Sequence, residues 1–259
     1  MRTLTLALLF LTLTAANVSA AVQTKTVPYK HGDVQLEGSL YWDDAVTGKR
    51  PGILVVHEWW GLDGYAKHRA EELAKLGYVA FAADMYGKGK VTEHPQEATQ
   101  MAAQVRANVK DWQARAQKGL EILKSQEACD ATRIGAIGYC FGGSTVLQLA
   151  YSGADVMGVV SFHGAPQTPE GTAAIKSRIL VCHGAADKFI PEENLQKMRA
   201  GLDKAKADWM LVYYSGAEHS FTVAGADKRG IPGMKYDAHA DQRSWHEMQV
   251  FFKDVFATK

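Results

Sequence analysis

Residues 137–143 read Ile137-Gly138-Tyr139-Cys140-Phe141-Gly142-Gly143, and how this run folds decides how the whole chain is read. A β-like apolar run, 133–137, leads into it, and a segment of helical character, 141–151, leaves it. A cysteine between glycines at such a junction is either a buried thiol in a tight turn or a nucleophile held up for attack. Gly138-x-Cys140-x-Gly142 fits the nucleophile-elbow pattern, in which a sharp strand-to-helix turn presents the reactive side chain. Glycines are needed there because the turn is strained and flanking Cβ atoms would clash. The helix starting at Phe141 directs its free N–H groups and positive dipole end at the sulfur, which favours thiolate.

Working outward, short and nearly continuous apolar runs recur at 52–57, 78–83, 133–138, 156–162, 178–182 and 210–214. Runs of that length read as strands buried on both faces. The alternating segment 34–41 reads instead as an antiparallel edge strand. Helical patterns lie between the strands at 65–76, 141–151, 191–205 and 240–256. The stretch 95–125 has room for two helices. Alternating strands and helices predict one α/β domain, a mostly parallel sheet covered on both faces. Chemistry in such sheets gathers beyond the carboxyl ends of the strands. Those ends carry His57-Glu58, Cys140, His163, Asp187 and, after the last strand, His219.

Cys140, Asp187 and His219 occur in the order nucleophile, acid, base that an α/β-hydrolase requires. In this reading Asp187 orients the imidazole, and His219 takes the thiol proton and later activates water. Each residue alone has an ordinary explanation: a buried thiol, a turn cap before Pro191, a loop histidine. Their register at one sheet edge favours the triad. A thiolate leaves more readily than an alkoxide, so such a site suits activated esters and enol-lactones better than peptides.

The motifs "HEWWGL" (57–62), "GYVAFAADMYG" (77–87), "IGYCFGG" (137–143), "HGAADKFIP" (183–191) and "HSF" (219–221) resemble those of the dienelactone hydrolase family, over essentially the whole chain after residue 20. The resemblance implies an α/β-hydrolase fold and hydrolysis of esters or enol-lactones through a thioester acyl-enzyme, without a cofactor. It assigns Cys140, Asp187 and His219 to the triad and Glu58 to a contact with the resting thiol. The backbone N–H groups of Phe141 and Trp59 would form the oxyanion hole. Trp59 and Trp60 would line the acyl pocket, with Ser220, Phe221 and Arg106 as further substrate contacts. Dienelactone-cleaving members hold the substrate carboxylate with an arginine about one turn past the histidine, where this chain has Val223. Arg106, or Lys228 and Arg229 in the loop 224–238, are the cations that could take its place.

Bulk properties narrow the partners to small molecules. The chain of 259 residues has a formal charge of +1 and no lysine- or arginine-rich run, so nucleic acid and membrane surfaces are not expected partners. A monomer is expected. Met1-Arg2, the apolar segment 4–13 and the small residues Val18-Ser19-Ala20 match a cleavable signal peptide over 1–20, with 21–259 as the exported domain. Periplasmic or secreted location follows from that. Three cysteines, Cys129, Cys140 and Cys182, leave at least one free thiol. Nine histidines form no His-x-x-x-His or Glu-x-x-His pair, so no metal is expected, and His57, His163 and His183 read as hydrogen-bonding residues at the sheet edge. Two other readings remain open at this level: an acyltransferase or thioesterase on the same triad, and an exported binding protein that has lost catalysis.

Overall fold

The computed structural model describes residues 22–169 and 175–257; the expected leader lies outside the described residues. The strands are β1 (Val22–His31), β2 (Val34–Asp43), β3 (Arg50–Val56), β4 (Val79–Ala83), β5 (Cys129–Tyr139), β6 (Gly158–Phe162), β7 (Arg178–Gly184) and β8 (Trp209–Tyr214). They form one sheet in the order β1-β2-β4-β3-β5-β6-β7-β8. The first two run antiparallel, and β4 through β8 are parallel to one another.

Segment 34–41 is antiparallel as expected but is not the edge. β1 covers it through a ladder running from Val22↔Asp43 to His31↔Val34. β1 alternates Thr, Lys and Tyr and buries only Tyr29 fully, so it offers no apolar run to read. Its Pro28 is tolerated because an outer strand need not donate every backbone N–H.

Among the described residues six helices cover the sheet: α1 (Gly64–Lys75), α2 (Pro95–Arg106), α3 (Val109–Lys124), α4 (Phe141–Tyr151), α5 (Glu192–Lys204) and α6 (Ala238–Ala257). Asn108 splits the 95–125 stretch into two, its side chain capping α3 by accepting from the Asp111 N–H. Strand alternation sends Leu54 and Val56 to one core and Ile53 and Val55 to the other. The first core joins Phe81, Trp112, Leu120, Phe141 and Met198; the second joins Leu73, Ala80, Met248 and Phe252. Burying each such side chain contributes about 1.5–3 kcal/mol, which holds the sheet as a rigid platform. Because β3, β5, β6, β7 and β8 run the same way, their carboxyl ends meet along one edge.

Candidate active site

The turn at that edge is built by steric exclusion. Cys140 takes φ 50° and ψ −108° between β5 and α4, a conformation L-residues rarely hold. A Cβ on Gly138 would sit 2.1 Å from the Gly142 carbonyl oxygen, and one on Gly142 would sit 2.1 Å from that of Val56. Only glycine fits either position. Phe141 opens α4, and neither its N–H nor that of Trp59 is taken up by a backbone hydrogen bond among the described residues.

Two loops bring partners to the sulfur. His219 Nε2 lies 3.1 Å from Cys140 Sγ, and its Nδ1 lies 2.8 Å from Asp187 Oδ2. The other Asp187 oxygen accepts from the Phe189 N–H at 2.8 Å, which orients the carboxylate. His219 is held by its backbone as well: its N–H donates to Gly233 and its carbonyl accepts from Lys235. Burial opposes charge on this imidazole, yet Cys140 and Asp187 outweigh it and hold the pKa well above the ordinary histidine value. The arrangement can therefore carry a proton from sulfur to imidazole and keep it there.

Glu58 follows β3 and is completely buried. Among the described residues its carboxylate takes its hydrogen bond from Ser220 and not from the thiol. Ser220 Oγ donates to Oε1 at 2.9 Å, and His163 Nδ1 stands 3.9 Å away. Burial pushes the Glu58 pKa up, partly offset by His219 and Ser220. The neighbouring His57 ring donates from Nδ1 to the Glu58 carbonyl and accepts the Met85 N–H, pinning the backbone at this corner.

A cavity of about 470 Å³ opens on Cys140, lined by Trp59, Thr99, Ala102, Ala103, Arg106 and Ala107. Positions 99, 102, 103 and 106 form one face of α2 and Ala107 caps its C-terminal end, so a helix of mostly small side chains makes the wall. Arg106 lies over the Phe141 ring, 5.3 Å from its centroid. Its Nε is buried with no hydrogen-bond partner, and no carboxylate pairs with it among the described residues.

Three expected substrate contacts lie elsewhere. Trp60 is buried beside Ala98 and Met234, behind Trp59. Phe221 is packed between His163 and Tyr214. Ser220 turns inward to Glu58, its φ of 56° reversing the chain after His219. Aromatic and hydroxyl residues beside a catalytic histidine look alike in sequence whether they face substrate or core. Neither Lys228, which is exposed, nor Arg229 is among the residues lining the cavity at Cys140. Val223 is buried, while Arg229 stacks on Trp60 at 4.1 Å and approaches Asp63 at 4.0 Å. Phe189, half exposed and 5.1 Å from the His219 ring, is a neighbour sequence reading did not single out.

All three cysteines are free. Among the described residues no group of three or more His, Cys, Asp or Glu could hold a metal ion, and no helix is long and apolar enough to cross a membrane.

Comparison with known proteins places these features in company. The sequence model of the dienelactone hydrolase family matches residues 36–256. A solved dienelactone hydrolase-like promiscuous phosphotriesterase from metagenomic libraries is 38% identical, with a TM-score of 0.89 over 92% of this chain and 100% of its own. Protein usf of Aquifex pyrophilus is 29% identical over 79% of this chain and 88% of its own length. A protein of Methylorubrum extorquens, provisionally named a carboxymethylenebutenolidase, is 28% identical over 81% of this chain and 74% of its own.

Proposed function

The chain belongs to the dienelactone hydrolase family and is a carboxylic ester hydrolase, and from that premise we propose that it cleaves small activated esters or enol-lactones through a Cys140-His219-Asp187 triad. The observation that carries this reading is His219 spanning 3.1 Å to the sulfur and 2.8 Å to Asp187. His219 takes the thiol proton, and the thiolate attacks the substrate carbonyl carbon. The charge that develops on oxygen is met by the free N–H groups of Phe141 and Trp59. Collapse breaks the ester C–O bond, His219 returns the proton to the leaving oxygen, and a thioester on Cys140 remains. Water, deprotonated by the same imidazole, attacks that thioester; the acid leaves and the thiol is restored.

Glu58 enters as a positioning group that holds Ser220, the residue after the base. Arg106 enters as the recogniser of an anionic group on the substrate, since it is a cation without a counter-ion on the cavity wall. Phosphotriesters are a second substrate class to examine, because the relative named for that activity is 38% identical over nearly the whole chain.

The test uses p-nitrophenyl acetate. Cys140→Ala should abolish turnover while leaving the melting temperature near wild type. Iodoacetamide should label the native protein at Cys140, because burial pushes the Cys129 thiol up to about 11 and the Cys182 thiol up to about 12. Retained turnover in Cys140→Ala, or first labelling at Cys182, would sink the assignment.

A further inference from the structure

His163 follows β6 at the same edge as Cys140, is fully buried, and holds φ +41°. A non-glycine residue in that region is kept there by its surroundings. Its own N–H donates to the Cys182 carbonyl at 2.9 Å. Its Nδ1 lies 3.2 Å from the Cys140 nitrogen, whose N–H it shares with the Phe162 carbonyl at 3.0 Å.

The hydrogen bonds fix the tautomer. A backbone N–H can only donate, so Nδ1 must offer its lone pair, and in a neutral ring the proton then sits on Nε2. Nε2 has an acceptor to match, Thr222 Oγ1 at 2.7 Å. The Tyr65 hydroxyl donates to the same oxygen at 2.7 Å, and Arg69 Nε donates to the Tyr65 oxygen at 3.2 Å. Arg69 is in turn anchored by Asp241 and by Glu72. An unbroken chain thus runs from α1, through the loop that carries His219, to the amide of Cys140. Burial first, then the nearby His219, holds the His163 pKa well below the ordinary value, so the neutral ring this chain requires persists.

We propose that Tyr65, Thr222 and His163 form a positioning relay, in which the two hydroxyls hold the proton of His163 on Nε2 so that its Nδ1 lone pair grips the Cys140 amide and keeps the sulfur in reach of His219. The opposite tautomer would set N–H against N–H at the nucleophile and loosen a turn that is already strained. His163 touches neither substrate nor sulfur in this role; it acts through the backbone of Cys140. The relay rests on Cys140 being the nucleophile.

Two substitutions at one position separate the relay from packing. Thr222→Val keeps the volume and removes the hydroxyl, whereas Thr222→Ser keeps the hydroxyl and removes the methyl. The relay predicts a kcat about tenfold lower for Thr222→Val, the worth of one hydrogen bond, with KM unchanged and Thr222→Ser close to wild type. The pH profile of Cys140 alkylation should shift in Thr222→Val and not in Thr222→Ser. Tyr65→Phe should lower kcat in the same sense and add little to Thr222→Val, and it carries the test alone if Thr222→Val folds poorly. A Thr222→Val enzyme with wild-type kcat and alkylation profile, or a Thr222→Ser enzyme that is the more impaired of the two, overturns the relay. Either result leaves the Cys140→Ala experiment to judge the nucleophile independently.

Discussion

Cys140 and Glu58 show two ways in which a single residue is held against its own preference. The cysteine carries a positive φ, kept by Gly138 and Gly142 on either side and by backbone contacts beneath. The glutamate is an acid buried beside a serine and a neutral histidine, with no cation in hydrogen-bond contact. Burial raises its pKa in the folded chain above the unfolded value of about 4.3. A group shifted upward in this way favours folding below its unfolded pKa, and that contribution is lost as pH rises through the folded value. At neutral pH, Glu58 therefore works against stability. Glu58→Gln keeps an acceptor for Ser220 and removes the buried charge. It should raise the melting temperature at pH 8 by about 2–4 °C for each kcal/mol relieved, with the gain vanishing below roughly pH 4. The same variant should hydrolyse p-nitrophenyl acetate more slowly, as expected where an active site is held under strain. Thermal scans at pH 4 and pH 8 decide it: equal melting temperatures at both would remove the idea of a stability cost. At this scale the meeting of Cys140, Asp187 and His219 was legible, because three reactive residue types follow three strands. Trp60 and Phe221 were not, since burial of an aromatic ring depends on which side of a loop it turns to. His163 was read as a hydrogen-bonding residue, but its partners lie 23 positions away at Cys140 and 59 positions away at Thr222 and could not be seen in one dimension.

Among the elements, α2 shapes the site most directly while contributing little to the core. Its buried residues are Ala98, Ala102 and Val105, and its cavity face is Thr99, Ala102, Ala103 and Arg106, with Ala107 at its C-terminal cap. Small side chains leave room for an acyl group, and Arg106 gives the wall one charge. Its guanidinium carbon lies 5.3 Å from the Phe141 ring centroid and 5.9 Å from that of Trp112, contacts that favour the cation without neutralising it. Arg106→Leu should therefore raise KM about tenfold or more for esters bearing a carboxylate, and leave neutral acetates within twofold. A steady-state panel of matched neutral and anionic esters measures this. Equal changes in both series would show that Arg106 serves only to pack α2. The room for two helices in 95–125 and the strand-turn-helix at Cys140 were readable, the first from length and the second from its glycines, whereas the split at Asn108 is set by a capping contact that the structure shows. The strand β1 was not readable, because an amphipathic outer strand has no apolar run, and what defines it is its ladder with β2.

For the whole molecule, that outer strand ties the first of the described residues to the sheet. Tyr29 is its anchor: the ring packs on Phe81, and the hydroxyl both donates to the Asp84 carbonyl and accepts the Asp84 N–H. The Asp84 carboxylate then caps the turn after β4 through the Tyr86 and Gly87 N–H groups. Without β1, the edge of β2 would lie open and the Asp84 backbone would lose the Tyr29 hydroxyl, a combination that invites edge-to-edge association. Among the described residues the paired ladder runs from Val22, and the small residues at which signal cleavage is expected precede it in sequence. A cut after Ala20 or Ala21 would leave every strand of the described residues intact, and we propose that the protein is exported in this form. Expression of the full chain in a Gram-negative host should place a species beginning at Ala21 or Val22 in the periplasm, identified by intact mass. A chain retaining Met1, confined to the cytosol, would overturn export. Truncation to Asp33 should by contrast yield aggregated protein, because the missing strand belongs to the fold and not to a leader.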